Sequence, residues 1–72
     1  MNVIGNFIKE KCVQKEDVSI TIKRLYKAYS DWCEGNHEHP VSERFLTLRL
    51  KEMGFVQDRT ATERFWTGIT IN

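Results

Sequence analysis

Residues 40–55, PVSERFLTLRLKEMGF, carry a start signal at one end and a stop signal at the other, and their reading decides the fold. Pro40 ends whatever precedes it, Ser42 is a good N-cap, and Val41 before the cap is placed to pack on Leu46 as a hydrophobic staple. Gly54 offers the left-handed position that closes a helix, and Phe55 after it supplies the accompanying apolar contact. At about 100° per residue, Leu46, Leu50 and Met53 share one stripe, whereas Arg44, Thr47, Leu48 and Lys51 fall on the opposite side. The pattern predicts a helix with a buried face and a presented face.

Upstream, VIGNFIKEKCV (3–13) places Val3, Phe7, Ile8 and Cys12 at helical spacings, with Lys9, Glu10 and Lys11 mostly turned away. This is a first helix, weakened near its start by Gly5. Gln14 to Asp17 read as a polar connection, and Val18, Ser19 and Ile20 as a short β-prone run. Thr21 caps a second helix in which Ile22, Leu25, Tyr26, Tyr29, Trp32 and Cys33 recur at spacings of three and four, ending at Gly35-Asn36.

Beyond Gly54 the pattern becomes extended. Phe55 to Gln57 read as a strand, DRTATE (58–63) as a polar loop, and RFWTGITI (64–71) as a second strand. Strict alternation puts Phe65, Thr67, Ile69 and Ile71 on one face and Trp66 on the other, unless Gly68 marks a bulge that turns Trp66 inward. The order helix, short strand, helix, helix, strand, loop, strand is that of an α+β winged helix-turn-helix. It has three helices and a small antiparallel sheet, with the C-terminal β-hairpin as the wing. The run around Ser19 adds a third strand to that hairpin, and the helix of residues 40–55 becomes the element this fold presents to DNA.

Seventy-two residues make one small domain, in which folding buries only about 60 % of the surface the unfolded chain exposes. So short a chain leaves little room for a conventional enzyme pocket, and we read it as a binding module or part of a larger protein. A formal charge of +1 gives no net-charge signature of a nucleic-acid binder, so charge alone does not name the partner. Two cysteines, Cys12 and Cys33, sit in helical patterns without a disulfide framework or a signal peptide, which favours buried free thiols in a reducing, cytoplasmic setting. No apolar run approaches the roughly 18 residues of a membrane span.

Four segments carry a family resemblance: FIKEKC (7–12), LYKAYSDWCEGN (25–36), LKEMGF (50–55) and WTGI (66–69). In this order they resemble the C-terminal winged-helix domain of phage and plasmid primase-helicases, a domain shared with poxvirus primase-helicase proteins. The most specific parts are Leu25, Tyr26, Tyr29, Trp32 and Cys33, then Leu50, Lys51, Gly54 and Phe55. In that family the domain follows a superfamily-three helicase module, and in some members the region binds the replication origin. The resemblance implies DNA binding during replication of a mobile element, with the parent helicase and primase domains as further partners. In a phage- or plasmid-encoded protein, the setting is the bacterial host cytoplasm. It carries over no catalytic residue and no cofactor. Leu48 is a departure, standing on the presented face where the family is more often basic.

A recognition helix needs cations for phosphate or guanine, a short hydroxyl for either base type and apolar atoms for the thymine methyl. Arg44 and Lys51, Thr47 and Leu48 provide these in turn, with Arg49 at the margin. The plain alternative is a solvated helix face, because Glu43 and Glu52 stand alongside. Arg59 and Arg64 are the candidate contacts on the wing, although Asp58 and Glu63 cancel its charge and favour an ordinary hairpin loop. Tyr26, Tyr29, Trp32, Phe65 and Trp66 resemble stacking platforms in composition, but in so small a domain they read as core. Cys33, His37, His39 and Cys12 include suitable zinc ligands, yet their spacing matches no structural-zinc pattern, and no metal is expected. A second reading gives the helix face with Leu48 to protein partners in the replication machinery, and a third makes the chain a small transcriptional regulator.

Overall fold

The computed structural model describes residues 3–72. In chain order the elements are α1 (Val3–Lys11), β1 (Cys12–Val13), β2 (Ser19–Thr21), α2 (Ile22–Gly35), α3 (Glu43–Glu52), β3 (Val56–Arg59), β4 (Arg64–Thr67) and β5 (Thr70–Ile71). The architecture is α+β, with three helices against small antiparallel sheets in a winged-helix arrangement.

Both ends of α3 form as their residues dictate. Ser42 Oγ accepts from the Phe45 amide at 3.2 Å, and Val41 before it packs on the core. At the other end Gly54 takes φ 98°, the Phe55 amide donates to the Leu50 carbonyl, and the Gly54 amide donates to that of Lys51. This is a Schellman closure. It has one consequence that the apolar stripe misses: Met53 becomes the C-cap and remains 44 % exposed. Phe55, folded back by the turn, packs against the core at this end in its place.

α2 begins at Thr21, whose Oγ1 accepts from the Arg24 amide at 3.3 Å. It stops at Gly35-Asn36, as the sequence suggests. Gly35 stays helical, Asn36 is the C-cap, and the left-handed position falls on His37 at φ 56°. The Glu38 amide donates to the Cys33 carbonyl at 2.8 Å and the His37 amide to that of Glu34, so a second Schellman turn forms around a residue with a Cβ. A left-handed residue with a side chain is strained relative to glycine, although glycine loses more chain entropy on folding. His37→Gly is therefore expected to stabilise the protein by about 0.5–1 kcal/mol, read as a higher urea midpoint.

The strands form two sheets. β2, β4 and β3 lie side by side in that order, all antiparallel, with Ile20 opposite Trp66 and Gln57 opposite Trp66 on the other flank. The hairpin loop is shorter than residues 58–63. Asp58 and Arg59 belong to β3, and Thr60 closes the turn, its amide donating to the Glu63 carbonyl while its hydroxyl accepts from the Thr62 and Glu63 amides. The segment expected as one strand from Arg64 to Ile71 is two. Gly68 at φ 78° breaks it, its amide donating to the Val18 carbonyl at 2.8 Å. Cys12 also leaves the helical pattern, because Cys12 and Val13 pair with Ile71 and Thr70 as a second, two-stranded sheet.

The break at Gly68 settles the side of Trp66. Trp66 is 1 % exposed and Ile69 is fully buried, three residues apart rather than two, so the chain changes face between them. Around them the core gathers Ile4, Phe7 and Ile8 of α1, Leu25, Tyr29 and Cys33 of α2, and Leu46 and Leu50 of α3. The Phe7 ring meets Tyr29 edge-on at 5.5 Å and Trp32 at 5.7 Å, so the aromatics of α2 are spent on packing. Two hydroxyls then fix the approach to α3: Tyr26 donates to the Val41 carbonyl at 2.8 Å, and Tyr29 accepts from the Val41 amide. Cys33 is buried and Cys12 half-buried, both free. Burial pushes the Cys12 thiol up to about 11 and raises that of Cys33, so both are neutral, weakly reactive thiols.

Candidate nucleic-acid interface

The presented face of α3 does not stand alone. It forms one wall of an open groove of about 650 Å³, with the start of α2 and the hairpin as the other walls. From α3 come Glu43, Arg44, Thr47, Leu48 and Lys51. The α2 side adds Thr21, Ile22 and Lys23, and the hairpin adds Gln57, Thr62, Glu63 and Arg64. Five of the six candidate contacts, Arg44, Thr47, Leu48, Lys51 and Arg64, are thus brought to one place. Arg59 is not among them: it stands opposite Arg64 in the ladder and lies outside the groove.

Exposure divides the lining into two levels. Thr21, Ile22, Thr47 and Gln57 are half-buried and make the floor, whereas Lys23, Arg44, Lys51 and Arg64 are exposed at the rim. The floor therefore offers three uncharged polar side chains beside the apolar Ile22, and the rim offers charge.

The electrostatics of the groove differ from those of the whole chain. Four cations line it against two carboxylates, Glu43 and Glu63, although the formal charge of the protein is only +1. Among the described residues none of those four cations is held in an ion pair. Glu52, which the sequence sets beside the presented face, is engaged by Arg49 at 3.2 Å instead, and neither residue lines the groove. Arg49 and Glu52 thus lie off the groove and bond to each other, so one of the two carboxylates that could weaken its field stands outside it. Leu48 projects at the groove with 52 % of its surface exposed.

Lys23, Gln57 and Thr62 are lining residues that sequence reasoning did not single out. Helical periodicity sorts residues within one helix, and Lys23 reaches the site only through the packing of α2 beside α3. In the β3 register Gln57 shares the face of Trp66, so it lies at the margin of the core. Its position on an edge strand takes that margin into the groove.

Cys12, Cys33, His37 and His39 do not converge. Among the described residues no group of three or more His, Cys, Asp or Glu side chains is placed to hold a metal ion. Among the same residues no helix is long and apolar enough to cross a membrane.

Comparison with known proteins adds one family. No curated protein matches the chain. Residues 1–66 match the family described as Poxvirus D5 protein-like, a span that takes in all three helices and the hairpin as far as Trp66. The match supports a domain of a primase-helicase-like replication protein, at its C-terminal end, as the four ordered segments imply. Over more than nine-tenths of its length, then, the chain belongs to the Poxvirus D5 protein-like family.

Proposed function

We propose that this chain is a DNA-binding winged-helix module of a phage or plasmid primase-helicase replication protein, acting in the cytoplasm and without enzyme activity of its own. It grips duplex DNA with α3 and with the flank of the hairpin at Arg64. The observation that carries this reading is the ring of unpaired cations around one groove in an otherwise near-neutral protein. Arg44 and Lys51 contact phosphate or guanine, Thr47 reaches a base edge or phosphate, and Leu48 lies against a thymine methyl. Arg59, outside the groove, contributes only a distant phosphate contact. The helicase and primase domains of the parent protein are its neighbours in the chain.

Fluorescence anisotropy with duplex, forked and single-stranded DNA tests this. Duplex binding is expected at low ionic strength, with log K falling against log salt at a slope of about −3 for three to four neutralised phosphates. Absence of binding to any of the three below about 50 mM salt overturns the proposal.

A second reading has its own observation. Phe45, Leu48, Met53 and Val56 are all large apolar residues left 44–63 % exposed around α3 and β3. Under it, the helix docks on the parent helicase or a neighbouring subunit. Leu48→Glu separates the two: loss of association with the helicase domain while duplex affinity falls less than tenfold favours docking. A small transcriptional regulator is a third reading of the same groove.

A further inference from the structure

The groove has a floor as well as a rim, and the floor holds chemistry that the four cations do not explain. Gln57 is half-buried there, and its side-chain amide has no hydrogen-bond partner among the described residues. The Thr47 hydroxyl, also in the lining, is equally unengaged. The Thr21 hydroxyl, by contrast, is occupied in capping α2. A half-buried amide on the core face of a strand is poorly placed to compete for bulk water, and an apolar residue at this margin would bury more surface. Its placement makes sense if something polar enters the groove.

The geometry limits what enters. The walls come from α2, α3 and the hairpin, and three of them bear cations: Lys23 on α2, Arg44 and Lys51 on α3, and Arg64 on β4. Charge on every side of a concave trough fits a polyanion lying in it. No aromatic side chain lines the trough, since the aromatics of α2 and Trp66 are committed to the core, so it offers no platform on which unpaired bases could stack.

We propose that the trough clasps a single phosphodiester strand of a DNA duplex. Gln57 donates its amide N–H to a phosphate oxygen at the floor, and Lys23 closes the clasp from the α2 side. This assignment rests on the DNA-binding reading above and extends it: Gln57 and Lys23 are positioning contacts, indifferent to base sequence, whereas any specificity belongs to Thr47 and Leu48 on the α3 wall of the same trough. An amide donor neutralises no charge, so its loss lowers affinity without changing the salt slope. Loss of a lysine on phosphate lowers both.

The test uses the full chain and two duplexes of unrelated sequence, with circular dichroism and the urea midpoint confirming that each variant is folded. Gln57→Glu, which places a carboxylate against phosphate, is expected to weaken binding to both duplexes at least tenfold. Gln57→Ala is expected to weaken both about threefold to tenfold at an unchanged salt slope. Gln57→Lys adds a cation at the floor, tightening binding and steepening the slope by about one, and Lys23→Ala makes the slope shallower by about one. The strand clasp is overturned if the wild-type chain binds duplex but Gln57→Glu binds equally well. It is also overturned if the effect of Gln57→Ala depends on the duplex sequence, which makes Gln57 a base reader, or if wild type prefers the single strand. Failure of the wild-type chain to bind any DNA is a different result, because it removes the reading on which the clasp depends.

Discussion

The double variant Arg44→Ala/Lys51→Ala is expected to bind duplex DNA roughly 100-fold more weakly than the wild type at low ionic strength, from a loss of about 1–2 kcal/mol at each residue. The two side chains are separated by seven residues, about two helical turns, so they lie on one stripe of α3 about 10 Å apart along its axis. That distance is roughly three base steps of B-form DNA at about 3.4 Å per step. The stripe can therefore meet two separate contacts on the same duplex. Both residues are exposed and neither is in an ion pair among the described residues, so truncation removes charge without dismantling a structural network. The salt slope should become shallower by up to about two as the two phosphate contacts disappear. Anisotropy titrations at three salt concentrations measure both quantities together, and unchanged affinity and slope would exclude α3 as the contact surface.

The largest effect on stability is expected from Trp66→Ala, at about 3–5 kcal/mol. Trp66 is the largest of the fully buried side chains, set on the central strand with Ile20 on one flank and Gln57 on the other. Truncation leaves a cavity that neither neighbouring strand can close without losing its register. Domains of this size fall near the lower end of the ordinary 5–15 kcal/mol range of stability, so the variant should be substantially unfolded at 37 °C. Urea unfolding followed by circular dichroism reads the change. Met53→Ala is the matched control, because a half-exposed C-cap leaves little cavity; its midpoint should move by no more than the equivalent of about 0.5 kcal/mol. A Trp66→Ala protein as stable as the Met53 control would mean that the hairpin does not complete the core.

The helices were readable because their limits are chemical and local. Ser42 and Thr21 each cap the amide three residues ahead, and Gly54 can take a positive φ at no steric cost. What escaped the sequence depended on contacts between distant segments. α2 ends at Gly35-Asn36 as read, but the left-handed position falls on His37, because the Cys33 carbonyl is the one met by the returning chain at Glu38. Met53 fits the apolar stripe, yet the Schellman turn brings Phe55 over the core at that end. Trp66 and Ile69 face the same interior only because Gly68 breaks the alternation between them, a possibility that spacing raises but cannot decide. The groove followed the same division. Arg44, Thr47, Leu48 and Lys51 belong to one helix face and were visible as such, whereas Lys23 and Gln57 join them from two other elements only when the chain is folded. Arg49 and Glu52 show the converse: they stand beside the presented face in the sequence, yet they lie outside the groove and bond to each other.

The pairing of β1 with β5 has a kinetic consequence. Its partners come from nearly opposite ends of the chain, so closing this contact costs more loop entropy than forming any hairpin, and the return is a ladder of only two residue pairs. Such a seam joins late in folding and is the first to open in the native state. No residue of α1, β1 or β5 lines the groove. The molecule can therefore breathe at this seam, exposing to solvent the Asn72 amide that donates to the Lys11 carbonyl, while the walls of the groove remain assembled.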